Sequence, residues 1–151
     1  MTLSFRSLIF LFWRMTRGMT LGVRAVLLSA DGQVFLVRHT YVKGWHLPGG
    51  GVDAGETCLE ALARELSEEG NITLTGEARL HGLFRNTKVS ARDHVACYIA
   101  RDYRQDAPFK PNREIAEARF FPLQALPEGT TRATRDRLDE ILKGAPAALD
   151  W

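Results

Sequence analysis

Hydrophobic and polar positions along this chain alternate with two different periods. Leu21 to Ser29 and Gln33 to Arg38 are rich in Val and Leu, and Asp31-Gly32 between them has the composition of a tight turn. The pattern predicts two strands joined as a β-hairpin. From Thr57 the period lengthens: Leu59, Leu62, Ala63 and Leu66 recur at i, i+3, i+4 and i+7, as the buried face of an amphipathic helix requires. Thr57 and Glu60 supply a capping box at its start, and Gly70-Asn71 tolerate a left-handed conformation at its end. Ile72 to Lys88, His94 to Arg101 and Glu114 to Phe121 read as further strands, Arg101 to Arg113 as a polar loop, and Thr130 to Leu142 as a closing helix. A β-rich order with one helix inserted and another at the end predicts an α+β fold, built as an α/β/α sandwich around a mixed sheet.

Composition adds limits to this picture. With 151 residues, 45% of them hydrophobic and 25% charged, the chain is long enough to enclose one core, and residues 19–151 are taken as one domain. Its 20 Lys and Arg against 18 Asp and Glu give a net charge of +2. The cations are scattered rather than gathered into a tract, so DNA is not an expected partner. Cys58 and Cys97 lie far apart with no metal-ligand spacing, which points away from a zinc site or disulfide framework and towards a reducing, cytoplasmic location.

Residues 1–18 stand apart. Leu8 to Trp13 is an unbroken apolar run between Arg6 and Arg14, too short to span a bilayer, which needs about twenty residues. It also lacks the length and cleavage site of a signal peptide. Phe5, Leu8, Ile9 and Phe12 have helical spacing, so the segment is expected to pack on the domain or in a homodimer interface, with contact to a membrane surface as the less favoured option.

Between the first strands and the helix, Trp45-His46-Leu47-Pro48 leads into Gly49-Gly50-Gly51, which is read as a tightly bent loop. On the helix, Glu65, Glu68 and Glu69 fall within about 100° of arc. Like charges at this spacing repel, and a divalent cation would reverse that cost. Carboxylates without Cys or His favour a hard cation such as Mg²⁺, with Mn²⁺ able to substitute, and Mg²⁺ completes its shell with water and phosphate. A Glu-rich helix face alone is usually a solvated surface. The glycine loop directly before it, which lets backbone approach a ligand, is what makes phosphate chemistry the better reading.

Taken together, Gly50, Glu56 and Arg64-Glu65-Leu66-Ser67-Glu68-Glu69-Gly70-Asn71-Ile72 resemble the Nudix box, G-x5-E-x7-R-E-U-x-E-E-x-G-U with U a bulky aliphatic. The departure is Asn71 in place of glycine. The resemblance implies the Nudix fold and Mg²⁺-dependent hydrolysis of a phosphoanhydride bond in a nucleoside di- or triphosphate linked to another moiety. It further implies that Glu65, Glu68 and Glu69, with the carbonyl of Gly49, bind the metal. Arg64 would orient the site by pairing with carboxylates such as Glu56, and Glu65 or Glu68 would activate water. Glu114 resembles an acidic position that follows the box in such chains and could join the metal site.

Arg38, His39, Tyr41, Lys43, Trp45 and His46 surround the entry to the glycine loop and combine phosphate-binding cations with an aromatic that could stack on a base. Arg38, His39, Trp45, His46 and Gly50 are therefore the expected contacts to a small nucleotide substrate, with Arg85 and Asn86 as weaker candidates. Alternatives are a Nudix-fold module that senses a nucleotide without hydrolysing it, and a pyrophosphohydrolase of the RNA 5′ end.

Overall fold

The computed structural model describes residues 5–151; residues 1–4 of the amino-terminal segment and the Phe5 side chain lie outside the described residues. Helix α1 (Phe5–Arg17) precedes strands β1 (Thr20–Leu27), β2 (Gln33–His39), β3 (Trp45–His46) and β4 (Gly49–Gly51). Helix α2 (Cys58–Gly70) follows, then β5 (Ile72–Leu74), β6 (Ala78–Arg85), β7 (Asp93–Ala100), β8 (Tyr103–Gln105), β9 (Ile115–Pro122) and α3 (Arg132–Lys143).

One sheet has the order β4-β1-β7-β6 and a second β3-β2-β9, with β5 and β8 forming a small ribbon. The β1–β7 pair is parallel and the other pairs are antiparallel, so the main sheet is mixed as expected. Side chains that alternate along each strand serve opposite layers. Val23, Ala25 and Leu27 of β1 pack with Phe35 and Val37 of β2 against Ala61, Leu62 and Leu66 of α2. Val26, Leu28, Val34 and Leu36 face the other way and pack with Cys97 and with Leu138 of α3. The result is the α/β/α sandwich.

Four local expectations are corrected. β1 and β2 do not form a hairpin within one sheet; they meet at a single bridge, Leu28 to Val34, and then diverge. Because β1 is buried on both faces and already flanked by β4 and β7, it has no edge left for β2. Gly49–Gly51 is not a free loop but a short strand, with Gly22, Val23 and Arg24 as its partners across the sheet. The polar stretch after Arg101 holds β8, which pairs with β5 through backbone groups that a composition reading does not see.

The fourth correction concerns α2. Its capping box is present, with Glu60 N donating to Thr57 Oγ1 at 3.2 Å and Thr57 N to Glu60 Oε2 at 2.7 Å. The buried face, however, carries Ala61, Leu62, Leu66, Glu69 and Gly70, while Leu59 is 50% exposed. At about 100° per residue the buried face is turned by roughly 50° from the Leu59-Leu62-Ala63-Leu66 stripe. Glu69 therefore sits on the buried face, where an apolar pattern places no glutamate, and Glu65 lies half-buried at its edge.

α1 forms a helix, but it does not bury its apolar residues on the domain: Leu8, Phe10, Leu11, Phe12, Trp13 and Met15 are all exposed. No helix among the described residues is long and apolar enough to cross a membrane.

Helix α2 ends at Asn71, whose φ of 52° is the only positive value at a non-glycine position among the described residues. Its N–H donates to Ser67 O at 3.1 Å. Asn is tolerated in this left-handed position where other side chains crowd the following carbonyl. Asn71→Ala is expected to lower unfolding free energy by about 1 kcal/mol, and Asn71→Gly to leave it within about 0.5 kcal/mol of wild type. Urea denaturation of the three proteins checks this; equal midpoints for Ala and Gly would contradict the cap assignment.

Candidate active site

The candidate site is built where β4 passes the second half of α2. Gly49 adopts φ of 144°, and a Cβ there would collide with the Val23 carbonyl. That close approach aims the Gly49 N–H at Glu69, whose Oε2 accepts it at 2.7 Å in a buried hydrogen bond. At Gly50 a Cβ would collide with the Glu65 carboxylate. The glycines thus lay bare backbone on two carboxylates, and no side chain fits between.

Arg24 projects from β1 and holds the turn before β4, with Nη1 donating to Leu47 O and to Gly49 O, both at 3.0 Å. Arg64, on α2, grips Glu56 with two hydrogen bonds, Nε to Oε1 at 2.7 Å and Nη2 to Oε2 at 3.0 Å. It also donates to Gly51 O at 3.0 Å and to Glu65 Oε1 at 2.8 Å. A bidentate guanidinium fork is well suited to fixing a helix, a strand and a loop in one arrangement. The pair is strongly ionised: Arg64 hydrogen bonding holds Glu56 down to about 2, and Glu56 in turn raises the Arg64 guanidinium.

Glu65 and Glu69 behave in the opposite way. Burial pushes the Glu69 carboxyl up to about 7 against the pull of the Gly49 amide and Arg24, and burial also raises Glu65 against the pull of Arg64. Both line a cavity of about 340 Å³ with Gly49, Gly50, Gly51, Arg24, His39 and Glu114 among its walls. Glu114 is held at the rim because its own carbonyl accepts from Thr40 N at 2.8 Å, tying the start of β9 to the end of β2. Glu68 is elsewhere. Its side chain is 61% exposed and lies 3.7 Å from Arg64 Nη1. Among the described residues no three His, Cys, Asp or Glu side chains form a ready metal-binding group, so the expected trio of glutamates is present as a convergent pair with a third outside it.

The expected substrate contacts divide by strand alternation. His39 and His46 line the cavity, and burial lowers both imidazoles, His39 to about 4, which leaves them neutral at pH 7. His39 Nδ1 is buried without a hydrogen-bond partner. Arg38, one residue earlier on β2, faces the opposite layer, pairs with Glu117 at 3.0 Å and lines a neighbouring recess. Trp45 is a core residue, not a base platform: it is 7% exposed, its ring meets Phe121 edge-on at 4.7 Å, and Arg38 covers it at 5.6 Å. Arg85 is tied to Asp150 at 2.7 Å and Asn86 to Asp93 at 2.8 Å. Sequence reading missed Arg24. The signal was there, a single charge in the otherwise aliphatic Leu21 to Leu28.

A sandwich carrying an acidic cavity between a glycine strand and a carboxylate helix defines the class. The chain belongs to the Nudix family: the model of the NUDIX domain matches residues 18–141. It is 34% identical over 76 residues to a Bacillus subtilis protein provisionally named an 8-oxo-dGTP diphosphatase, the match covering 50% of each chain. It is 49% identical over 47 residues to the RNA pyrophosphohydrolase of Xylella fastidiosa, covering 31% of this chain and 25% of that one. The crystal structure of the MutT NUDIX hydrolase from Burkholderia pseudomallei superposes with a TM-score of 0.69 at 26% identity, over 81% of this chain and 97% of the other.

The pH dependence of folding follows from these groups. Glu69 has a folded pKa above its ordinary 4.5, so the folded protein binds more protons between about 4.5 and 7, and stability from this group falls as pH rises through that window. His39, folded near 4 against an ordinary 6.5, works the other way, adding stability as pH rises between those values. Glu69→Gln keeps an acceptor for Gly49 N–H and removes only the first effect. Metal-free Glu69→Gln should therefore resist urea better than wild type at about pH 8, with the difference shrinking to nothing near pH 4.5. A wild type more stable than the variant at the higher pH would contradict the burial argument.

Proposed function

We propose that the protein hydrolyses a phosphoanhydride bond in a small nucleoside di- or triphosphate derivative, using Mg²⁺, in the cytoplasm. The observation that carries this reading is the pair of carboxylates, buried Glu69 and half-buried Glu65, pressed against the backbone of Gly49 and Gly50 in one open cavity. Two like-charged groups that burial drives towards protonation are unfavourable for folding alone, and an all-oxygen donor set of this kind fits a hard divalent cation. Glu65, Glu69 and the Gly49 carbonyl would hold it, with Glu68 available from the same helix and Glu114 from the rim. A bound cation would supply neutralisation of phosphate charge and a lowered pKa for an attacking water.

The chain's own groups have distinct parts in this reading. Arg64 fixes Glu65 by its Oε1, which leaves Oε2 to face the cation or the attacking water, with Glu68 as the other carboxylate able to take the proton. Arg24 is the cation inside the cavity and meets phosphate oxygens, while the neutral His39 offers its unpaired Nδ1 to the substrate. Arg64 and Glu56 act by position, since their ion pair locks the helix on the strand.

A phosphate-release screen over nucleoside triphosphates, 8-oxo-dGTP, ADP-ribose and 5′-triphosphorylated RNA, with and without Mg²⁺, tests the reading. Turnover of a free nucleotide is expected. Glu65→Gln and Glu69→Gln should lower kcat by about a hundredfold or more, and Arg64→Lys by about 10- to 100-fold. Activity on the RNA alone would favour the second reading raised by the Xylella relative. No turnover with any substrate, or variants as fast as wild type, would overturn the proposal.

A further inference from the structure

We infer that α1 is an interfacial anchor that lies flat on an anionic lipid surface. Its residues separate by character around the helix. At about 100° per residue, Arg6, Arg14 and Arg17 fall within roughly 80° of arc with Ser7 beside them, while Leu8, Ile9, Leu11, Phe12, Trp13 and Met15 occupy the remainder, more than half of the circumference. There are two exceptions: Phe10 lies among the arginines, where its ring meets Trp13 edge-on at 5.7 Å, and Thr16 lies within the apolar arc, its hydroxyl donating to Phe12 O at 2.9 Å. Trp13 sits at the boundary between the two arcs, with the Arg17 guanidinium 5.9 Å from its ring centre. An indole placed beside cations at the edge of an apolar face suits the headgroup level of a bilayer.

Length and charge choose the occupant. The helix has 13 residues, which at 1.5 Å each makes it about 20 Å long, short of the roughly 30 Å hydrocarbon thickness, so it would lie in the plane of the surface. It contains no acidic residue, and the first Asp or Glu of the whole chain is Asp31. The turn between β6 and β7 adds to the same end. Arg92 donates from Nη1 to Gly18 O at 2.9 Å, holding the turn against the end of α1, and the turn also exposes Lys88 and Val89. A lipid surface can cover an apolar arc wider than half the helix while headgroups meet the arginines. A second copy of the helix covers a narrower stripe and would bring further arginines beside these.

The test is co-sedimentation of the full chain with vesicles of phosphatidylcholine alone or mixed in equal parts with phosphatidylglycerol, at low and high salt. Two variants accompany it: Leu8→Glu with Phe12→Glu on the apolar arc, and Arg6→Glu with Arg14→Glu on the basic one. Thermal melts establish that each variant retains the folded domain. Wild type should bind the anionic vesicles roughly tenfold or more tightly than either variant, and lose most of that binding on neutral vesicles or in high salt. Absence of wild-type binding would overturn the inference, as would equal binding by the apolar-arc variant. So would an α1-dependent dimer in sedimentation velocity that ignores vesicles.

Discussion

Glu69 carries a carboxylate into the interior of the sandwich, where its one strong hydrogen bond comes from the amide of Gly49. That contact requires β4 to run closer to β1 and α2 than any side chain permits, and so requires glycine at positions 49 and 50. It requires in turn that the strand be held from outside, by Arg24 on the carbonyl side and Arg64 at Gly51. The surrounding ion pairs take their places from this constraint. Arg64 and Glu56 are exposed enough for their pairing alone to add little stability, and their value lies in keeping a helix, a strand and a loop aligned around Glu65 and Glu69.

A buried carboxylate is a folding liability unless something compensates it. Arg24 does so in part. The remainder appears as the raised proton affinity of Glu69 and Glu65, and under the proposed function a bound cation would displace those protons. Neutral His39 and His46 along the same wall leave Arg24 as the cavity's cation near neutral pH, so a cation and two carboxylates share one small volume.

Much of this was legible in the sequence, and the errors have a common cause. The run from Gly50 to Ile72 is local, so its caps follow from spacing within a loop and one helix, while the Arg64–Glu56 pair and the meeting of Glu65 and Glu69 with the glycines are expected from the resemblance to the Nudix box. Hydrophobic periodicity then misplaced the buried face of α2, because it counts glutamate as polar and the buried Glu69 occupies the centre of that face. Trp45 and Arg38 were assigned by residue type, yet alternation along β2 and β3 turns them towards the α3 layer while His39 turns to the site. Arg24 came from a strand more than twenty residues away in sequence from its partners. Pairings such as β1 with β7, and the divergence of β1 from β2, depend on which strand wins an edge, and no local pattern records that competition.

The proposed function requires that Glu69 surrender its proton when a divalent cation binds. Calorimetry of Mg²⁺ binding in two buffers of different ionisation heat measures that exchange directly. With Glu69 near 7, binding at neutral pH should release about half a proton per ion from this group, falling towards zero above about pH 9, and Glu69→Gln should release markedly less and bind more weakly. Proton release unchanged in Glu69→Gln, or Mg²⁺ bound as tightly by the variant as by wild type, would contradict the account.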